Sequence, residues 1–366
     1  MNQAIQPEKI KRLLIRGTNW VGDSVMVLPA LKQVRQEFSA AHITLLVLPW
    51  ASGIYEEAEC VDQILIYDRE GEHRGIRGRS KLIQTLRRSH FDAALLFQNA
   101  FEAALLIGLA RIPIRAGYRR DARGWLLTHP VSIDPRIIQL HQTYYYLDLI
   151  DQLLDKPRAA LGASRIPSGD TAKVTPLPDI SLQVSVSRKQ AARNRLRAEG
   201  IDSHKKLIGV NPGASFGSAK RWLSDRYAGL LDRLIEQQGA NVVVFGAPKE
   251  VGIAESIRSL MRQPATILTG KTQLGELIAM IACCDLFITN DSGPMHLAAA
   301  LRVPTLAIFG PTDEISTGPL SPTAVVLNKK VECSPCLLRE CPIDHRCMTR
   351  ITVDEVYQQA SQLLSS

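Results

Sequence analysis

Leu286-Phe287-Ile288-Thr289-Asn290-Asp291-Ser292-Gly293-Pro294-Met295-His296 decides how the rest of the chain is read. It opens as an apolar, β-rich run and closes into an alanine-rich helix, Leu297 to Leu301. An acid, a hydroxyl, a glycine and a proline stand in a row between the two. A strand-to-helix turn of this make-up presents backbone N–H groups and the positive end of a helix dipole, a seat for a diphosphate. It is equally a plain helix start, with Asp291 or Ser292 as N-cap, Gly293 for the bend and Pro294 in the first turn. The surrounding sequence has to separate the two readings.

Downstream, Thr305 to Phe309 reads as another strand, ending at Gly310-Pro311. Upstream the same alternation repeats. Leu207 to Val210, Asn241 to Phe245 and Ala265 to Leu268 read as strands, with helices at Trp222 to Gln238, Lys249 to Met261 and Leu274 to Cys284. The first half follows the same rule. Strands are expected at Ile10 to Arg16, His42 to Leu48, Gln63 to Tyr67, Phe91 to Phe97 and Ile114 to Tyr118. Helices are expected at 24–38, 79–89 (basic and amphipathic), 101–109 and 142–154. Strand–helix alternation of this kind predicts an α/β protein with two doubly wound parallel sheets. The Pro-, Gly-, Ser- and Thr-rich stretch 155–185 reads as the connection between them, before a charged helix at 188–199. In such sheets ligands bind outside the carboxyl ends of the strands.

Length and charge narrow the options. With 366 residues the chain exceeds one ordinary core, and two domains are expected. The first residues, Met1 to Lys11, are polar and lack an apolar signal core, so no export is expected and the location is read as cytoplasmic. No apolar run approaches the roughly 18–20 residues that span a bilayer. The formal net charge of +8 suits nucleic acid, an anionic membrane face or a polyanionic small substrate. Aromatic residues are only 5%, with no basic-aromatic platform for stacking bases, which argues against nucleic acid. The arginines gather instead at 69–88 and 111–123. They are a solvated surface or an anion-facing one.

The first βα loop, Gly17-Thr18-Asn19-Trp20-Val21-Gly22-Asp23-Ser24, imitates the spacing of a nucleotide triphosphate loop. Asp23 stands where that loop needs a lysine, and a carboxylate there repels phosphates. The glycine spacing of a dinucleotide fold is missing as well. What remains is one acid at the top of a strand, either a helix cap or a general base. A helix N-terminus keeps such a base ionised and weak, whereas partial burial beside Trp20 raises it. In the second half, Asn211-Pro212-Gly213-Ala214-Ser215 follows a strand and leads to Lys220-Arg221-Trp222. A glycine-rich loop ending in a cation suits a phosphate-bearing donor, and a surface lysine is the plain alternative. Lys249 and Glu250 after Phe245-Gly246 suit a ribose or phosphate, or a polar helix start.

Val21-Gly22-Asp23, Pro212-Gly213-Ala214 with Lys220-Arg221-Trp222, and Thr289 to His296 together resemble glycosyltransferase family 9, above all its ADP-heptose:lipopolysaccharide heptosyltransferases. Gln98-Asn99 with Phe101, and Arg115-Ala116-Gly117-Tyr118-Arg119, resemble the same members. The resemblance covers the chain to about Pro311. It implies a GT-B fold with an acceptor-binding domain at 1–180, a nucleotide-sugar donor domain at 181–345, and a last helix, 346–366, that packs back on the first domain. The two domains are expected to face one another across a cleft. The implied reaction is inverting transfer of heptose from ADP-L-glycero-D-manno-heptose to a heptosyl-Kdo2-lipid A inner core, without cofactor or catalytic metal. A different donor or acceptor within the family, or a non-catalytic nucleotide-sugar binder, remain the alternatives. Carried over by position, Asp23 is the general base. Lys220, Asp291, Ser292, Gly293 and His296 hold the donor, and Ser215 and Glu250 join them as donor candidates from the loop reading above. Asn99, Arg115, Arg119, Arg120 and Arg123 are the acceptor candidates, the arginines on charge alone. A lipid acceptor implies contact with the inner face of an anionic membrane.

Seven cysteines remain. Cys60, Cys283 and Cys284 lie in apolar contexts and read as buried thiols. Cys333, Cys336, Cys341 and Cys347, with His345 nearby, form a cluster outside the resemblance. It is a structural metal knot of loose spacing, a set of reduced thiols, or redox-sensitive disulfides.

Overall fold

The computed structural model describes residues 4–158 and 177–365, which divide into two compact units. Described residues up to 158 and 177–180 form the first, and those from 181 onward the second. Of the expected connection at 155–185, positions 159–176 lie outside the described residues.

The first unit is a six-stranded sheet in the order β3-β2-β1-β4-β5-β6. The strands are β1 (Arg12–Arg16), β2 (His42–Val47), β3 (Gln63–Ile66), β4 (Ala93–Leu96), β5 (Ile114–Tyr118) and β6 (His129–Val131). Every neighbouring pair is parallel. Burial explains the near-continuous apolar strands: Leu13, Leu14 and Ile15 are fully buried, as both faces of a parallel sheet are covered by helices. Strand β6 was not expected from the sequence. It is three residues long, carries Pro130 and stands at the sheet edge, where a missing N–H costs no ladder bond. The helix expected over 24–38 is two helices, Val21–Met26 and Leu28–Glu37, because Pro29 opens the second.

The second unit repeats the plan in the order β12-β11-β10-β7-β8-β9, again all parallel. Its strands are β7 (Leu207–Asn211), β8 (Asn241–Val244), β9 (Thr266–Ile267), β10 (Leu286–Asn290), β11 (Thr305–Phe309) and β12 (Ala324–Asn328). Strand β12 at one edge is the second one the sequence reading missed. Its residues are only half-buried, although Ala324-Val325-Val326-Leu327 is an apolar run. Both sheets have the winding order of a dinucleotide fold. The chain reverses direction between β1 and β4 in one unit and between β7 and β10 in the other. A crevice opens at such a reversal, beyond the carboxyl ends of the two strands.

The final helix, Val353–Ser365, was expected to reach back to the first domain. Its buried face lies on the second unit's own core. Val356, Tyr357 and Ala360 pack on the helix Ser224–Gln238 and against β10 and β11. The guanidinium of Arg233 lies 3.9 Å from the centre of the Tyr357 ring and pairs with Asp354 at 2.5 Å. A charge placed at Val356 therefore has no partner. The Val356→Asp variant is expected to lose about 3 kcal/mol of stability in urea unfolding. Hydrogen exchange should rise in β10, β11 and the helix Ser224–Gln238 while β1 to β5 stay protected.

Candidate active site

In the first unit, the reversal point is furnished by the loops after β1 and β4. Arg16 ends β1 and is buried. Its Nη1 donates to the carbonyls of Gly17 at 2.6 Å and Leu46 at 3.3 Å, and Nη2 donates to Asn19 Oδ1 at 2.7 Å. Burial pulls this guanidinium down to about 10. The turn must run close to β2: a Cβ on Gly17 would stand 2.8 Å from Val47 Cγ1. The loop thus held delivers the helix Val21–Met26, with Asp23 in its first turn and Trp20, not Asp23, in the N-cap position.

Asp23 is half-buried. The Tyr146 hydroxyl donates to its Oδ1 at 2.9 Å. Loss of water raises the carboxyl above its ordinary range, and the Tyr146 bond opposes that rise. Trp20, expected beside it, is itself 61% exposed. The cover includes the helix Gln142–Leu153, which packs on the helix Val21–Met26. Tyr146 is itself fully enclosed and held well above its ordinary pKa, first by burial and then by the charge of Asp23. It stays a phenol and a donor. The three consecutive tyrosines were visible in the sequence, but nothing local linked one of them to a residue 123 positions away.

The acceptor candidates separate into two kinds. Arg123 is fully buried. Its Nε donates to Tyr118 O at 3.1 Å, Nη1 to Gln98 O, and Nη2 to Asn99 Oδ1 at 2.9 Å. Desolvation lowers it to about 10. Asn99 in turn donates to the Tyr145 hydroxyl at 2.9 Å. Arg115 donates through Nε to Leu126 O at 2.8 Å and through Nη1 to Ile112 O at 2.7 Å. These two arginines, expected to face an anion, are engaged with main-chain carbonyls and brace the sheet edge. Arg119 and Arg120 are exposed. Between Arg120 and Arg123 the backbone passes through two left-handed non-glycine residues, Asp121 at φ 53° and Ala122 at φ 55°.

In the second unit, the reversal point joins the loop after β7 to the turn after β10. Asn290 ties them together. Its Nδ2 donates to Pro212 O at 2.7 Å, while its Oδ1 accepts from Trp222 N at 3.1 Å and from the Tyr227 hydroxyl at 3.0 Å. Lys220 Nζ then meets Asp291 Oδ2 at 2.5 Å, with side-chain exposures of 13% and 5%. The Thr312 hydroxyl donates to the same oxygen at 2.6 Å. Asp291 is therefore not the helix cap. That position belongs to Ser292, whose hydroxyl turns away to Thr289 Oγ1 at 3.0 Å and Asn211 Nδ2 at 3.3 Å. The helix Gly293–Ala300 starts without a side-chain cap. Gly293 N therefore lacks the side-chain acceptor that usually satisfies a helix start, Pro294 brings no N–H, and Met295 N bonds to Ser292 O at 3.2 Å.

The other donor candidates are spread around this pair. Ser215 is exposed on the loop and His296 is buried in the helix. Glu250 is buried beneath two glycine turns. Its carboxylate accepts from Ala247 N at 2.8 Å, and a Cβ on Gly213 would meet it at 2.2 Å. Its placement supports the loops and not an open surface. Thr312 escaped the sequence reading because only the parallel pairing of β10 with β11 brings it to Asp291.

All seven cysteines are free thiols. Among the described residues, no group of three or more His, Cys, Asp or Glu side chains is arranged to hold a metal ion. Burial, followed by the thiols of Cys341, Cys333 and Cys336, pushes Cys347 up to about 11. Cys60, Cys283 and Cys284 are raised by burial too.

The chain has clear relatives. Residues 79–346 match the profile of glycosyltransferase family 9 (heptosyltransferase). Lipopolysaccharide heptosyltransferase 2 of Escherichia coli K12 is 31% identical over 322 residues, 86% of this chain and 87% of that protein. Lipooligosaccharide heptosyltransferase 2 of Haemophilus ducreyi is 29% identical across 97% of this chain and 99% of its own. Among solved structures, E. coli ADP-heptose lps heptosyltransferase II superposes with a TM-score of 0.79 at 28% identity, covering 97% of this chain and 98% of that one. A glycosyl transferase family 9 structure from Veillonella parvula gives 0.82 at 23% identity and shares the fold over 100% of this chain and 99% of its own. The two parallel sheets and the expected α/β class agree with these matches, and the chain belongs to glycosyltransferase family 9, the heptosyltransferases.

Proposed function

We propose that this glycosyltransferase moves heptose from ADP-heptose to a heptosyl-Kdo2-lipid A inner core, as a lipopolysaccharide heptosyltransferase II. The observation that carries the reading is the buried Lys220–Asp291 pair beside an uncapped helix start at the second sheet's reversal point. An ammonium has three donors. One serves Asp291, and the others are available to a diphosphate. Asp291, itself an anion, acts by orienting Lys220 and not by touching phosphate. The Gly293 N–H and the exposed Ser215 complete the donor seat. As the glycosidic bond to ADP breaks, negative charge grows on the leaving phosphate, where Lys220 and the helix dipole stabilise it.

In the first unit, Asp23 is the base that takes the proton of the acceptor hydroxyl. Its raised pKa makes it a better base than an exposed aspartate, and the Tyr146 hydroxyl keeps it from staying protonated. The acceptor oxygen attacks the anomeric carbon as ADP departs, so one displacement inverts that centre. Arg119 and Arg120 are the acceptor arginines, while Arg115 and Arg123 hold the surface that carries them. Arg123 also fixes Asn99.

The membrane contact is the finer part of the reading. No helix among the described residues is long and apolar enough to cross a bilayer. The first unit exposes Trp125 at 74% and Ile76 at 86%, beside the arginines of the helix Gly75–Arg88. Arg79 of that helix pairs with Glu102 at 2.9 Å, and the adjacent Phe101 ring lies 6.2 Å from the ring of Trp125. Exposed aromatics among cations suit peripheral contact with an anionic leaflet from the cytoplasmic side.

Asp23→Ala should reduce transfer by roughly 10²–10⁴-fold while ADP binding survives. Intact transfer in that variant removes the base assignment. Tyr146→Phe deletes the bond that lowers the Asp23 pKa. Because the base works only when ionised, activity is lost as pH falls through that pKa, and the acid limb of the kcat profile should move to higher pH in the variant. An unmoved limb would uncouple Tyr146 from the titrating group. Lys220→Ala should weaken ADP binding by about tenfold or more in calorimetric titration.

A further inference from the structure

The segment between β12 and the last helix carries the four clustered cysteines, and its contacts converge on the two loops that supply the Lys220–Asp291 pair. One group lies at the end of β11. The Ser334 hydroxyl donates to Gly310 O, and Leu337 N donates to Pro311 O at 2.8 Å. A Cβ on Gly310 would stand 3.0 Å from Cys347 Sγ and 2.9 Å from Met348 Cε. Thr312, two residues past Gly310, is the residue that holds Asp291. The other group lies on the donor loop. Ala219 N donates to Arg339 O at 3.0 Å. His345 Nε2 and Ala219 O are 2.7 Å apart, so a protonated Nε2 donates there. A Cβ on Gly217 would fall 2.1 Å from Arg339 O, so the loop carries no side chain where the segment crosses it. Gly217 has an extended backbone, so the close approach and not its φ requires glycine. The Phe216 ring lies 4.9 Å from Lys220 Nζ and 5.5 Å from the Arg339 guanidinium.

Both backbone groups of Ala219, the residue before Lys220, are thus bonded to one segment. That segment is anchored beside the residue that orients Asp291. A loop between a strand and a short 3-10 turn has few hydrogen bonds of its own to set its height above the sheet. The supports come from residues 120 and 126 positions further along the chain.

We propose that residues 333–347 act as a positioning strap for the donor loop, with the His345 side chain and the Arg339 carbonyl setting where Lys220 stands against Asp291. This rests on the reading of Lys220 as the donor cation. The strap does not touch the reacting atoms. It limits the loop so that the ammonium is in place before the nucleotide arrives, a preorganisation of the binding site.

The test uses the full-length protein and ADP as the probe. His345→Ala should weaken ADP binding about tenfold, the scale of one lost supporting hydrogen bond. It should raise amide exchange over 217–220 and leave the thermal midpoint within a degree or two. In His345→Gln the amide Nε2 can donate to Ala219 O, so binding and protection should return. Gly217→Ala forces a methyl into the Arg339 carbonyl and should reproduce the His345→Ala result by a separate route. Unchanged ADP affinity in both His345→Ala and Gly217→Ala overturns the strap, as does looser exchange without any loss of affinity. Lys220→Ala, measured alongside, tests the underlying reading separately. If that variant binds ADP normally, Lys220 is not the donor cation, whatever the strap variants do.

Discussion

The ion pair between Lys220 and Asp291 is the interaction on which the second unit's chemistry depends. Both side chains are largely removed from water, and each charge needs the other to be tolerated there. The pair forms only because the sheet reverses between β7 and β10, which brings the ends of two sequence-distant strands side by side. Asn290 then ties the two loops together, and Thr312 holds Asp291 directly. A lysine held this way loses little conformational entropy on meeting an anion, because its rotamer is already chosen. The adjacent helix start adds partial positive charge without adding another side chain.

The first unit solves a different problem with the same topology. The base proposed here must be ionised yet basic, and the structure sets two opposing influences on its carboxyl. Desolvation pushes Asp23 up, and the Tyr146 hydroxyl pulls it down. The phenol can do this because it is itself too deeply buried to ionise. Arg16 and Arg123 show what else the site requires. Each is a guanidinium taken out of water and spent on main-chain carbonyls at the end of a central strand, Arg16 after β1 and Arg123 at β4. They keep the two loops of the reversal point in register, so the exposed residues of those loops have a rigid base.

Much of this was legible in the residues. The strand-to-helix turn at 286–296, the glycine loop ending in Lys220 and the acid after β1 were read at their positions, because each is a local pattern with a local cause. The alternation of strands and helices gave the two parallel sheets. What the pattern could not reach was pairing over distance. Arg123 looks like one more surface arginine until β4 and β5 bring Gln98 and Asn99 to it. Tyr146, Thr312 and His345 have no local signal at all, since each acts on a residue brought near by the sheet order. The edge strands β6 and β12 were missed for different reasons. β6 is three residues long and carries Pro130, too little to show an apolar run, whereas Ala324 to Leu327 of β12 is such a run and went unread. The last helix was legible as an amphipathic element, but such a face declares that it needs a partner and not which one.

The central claim is that this chain transfers heptose by a single inverting displacement from ADP-heptose to the lipid-linked inner core. The direct measurement incubates the purified protein with ADP-heptose and heptosyl-Kdo2-lipid A, follows product mass and ADP release, and reads the anomeric configuration of the new linkage. One heptose added per ADP released, with the configuration inverted relative to the donor, is the result predicted. Absence of product where another nucleotide-sugar gives one, or a product of retained configuration, would contradict it.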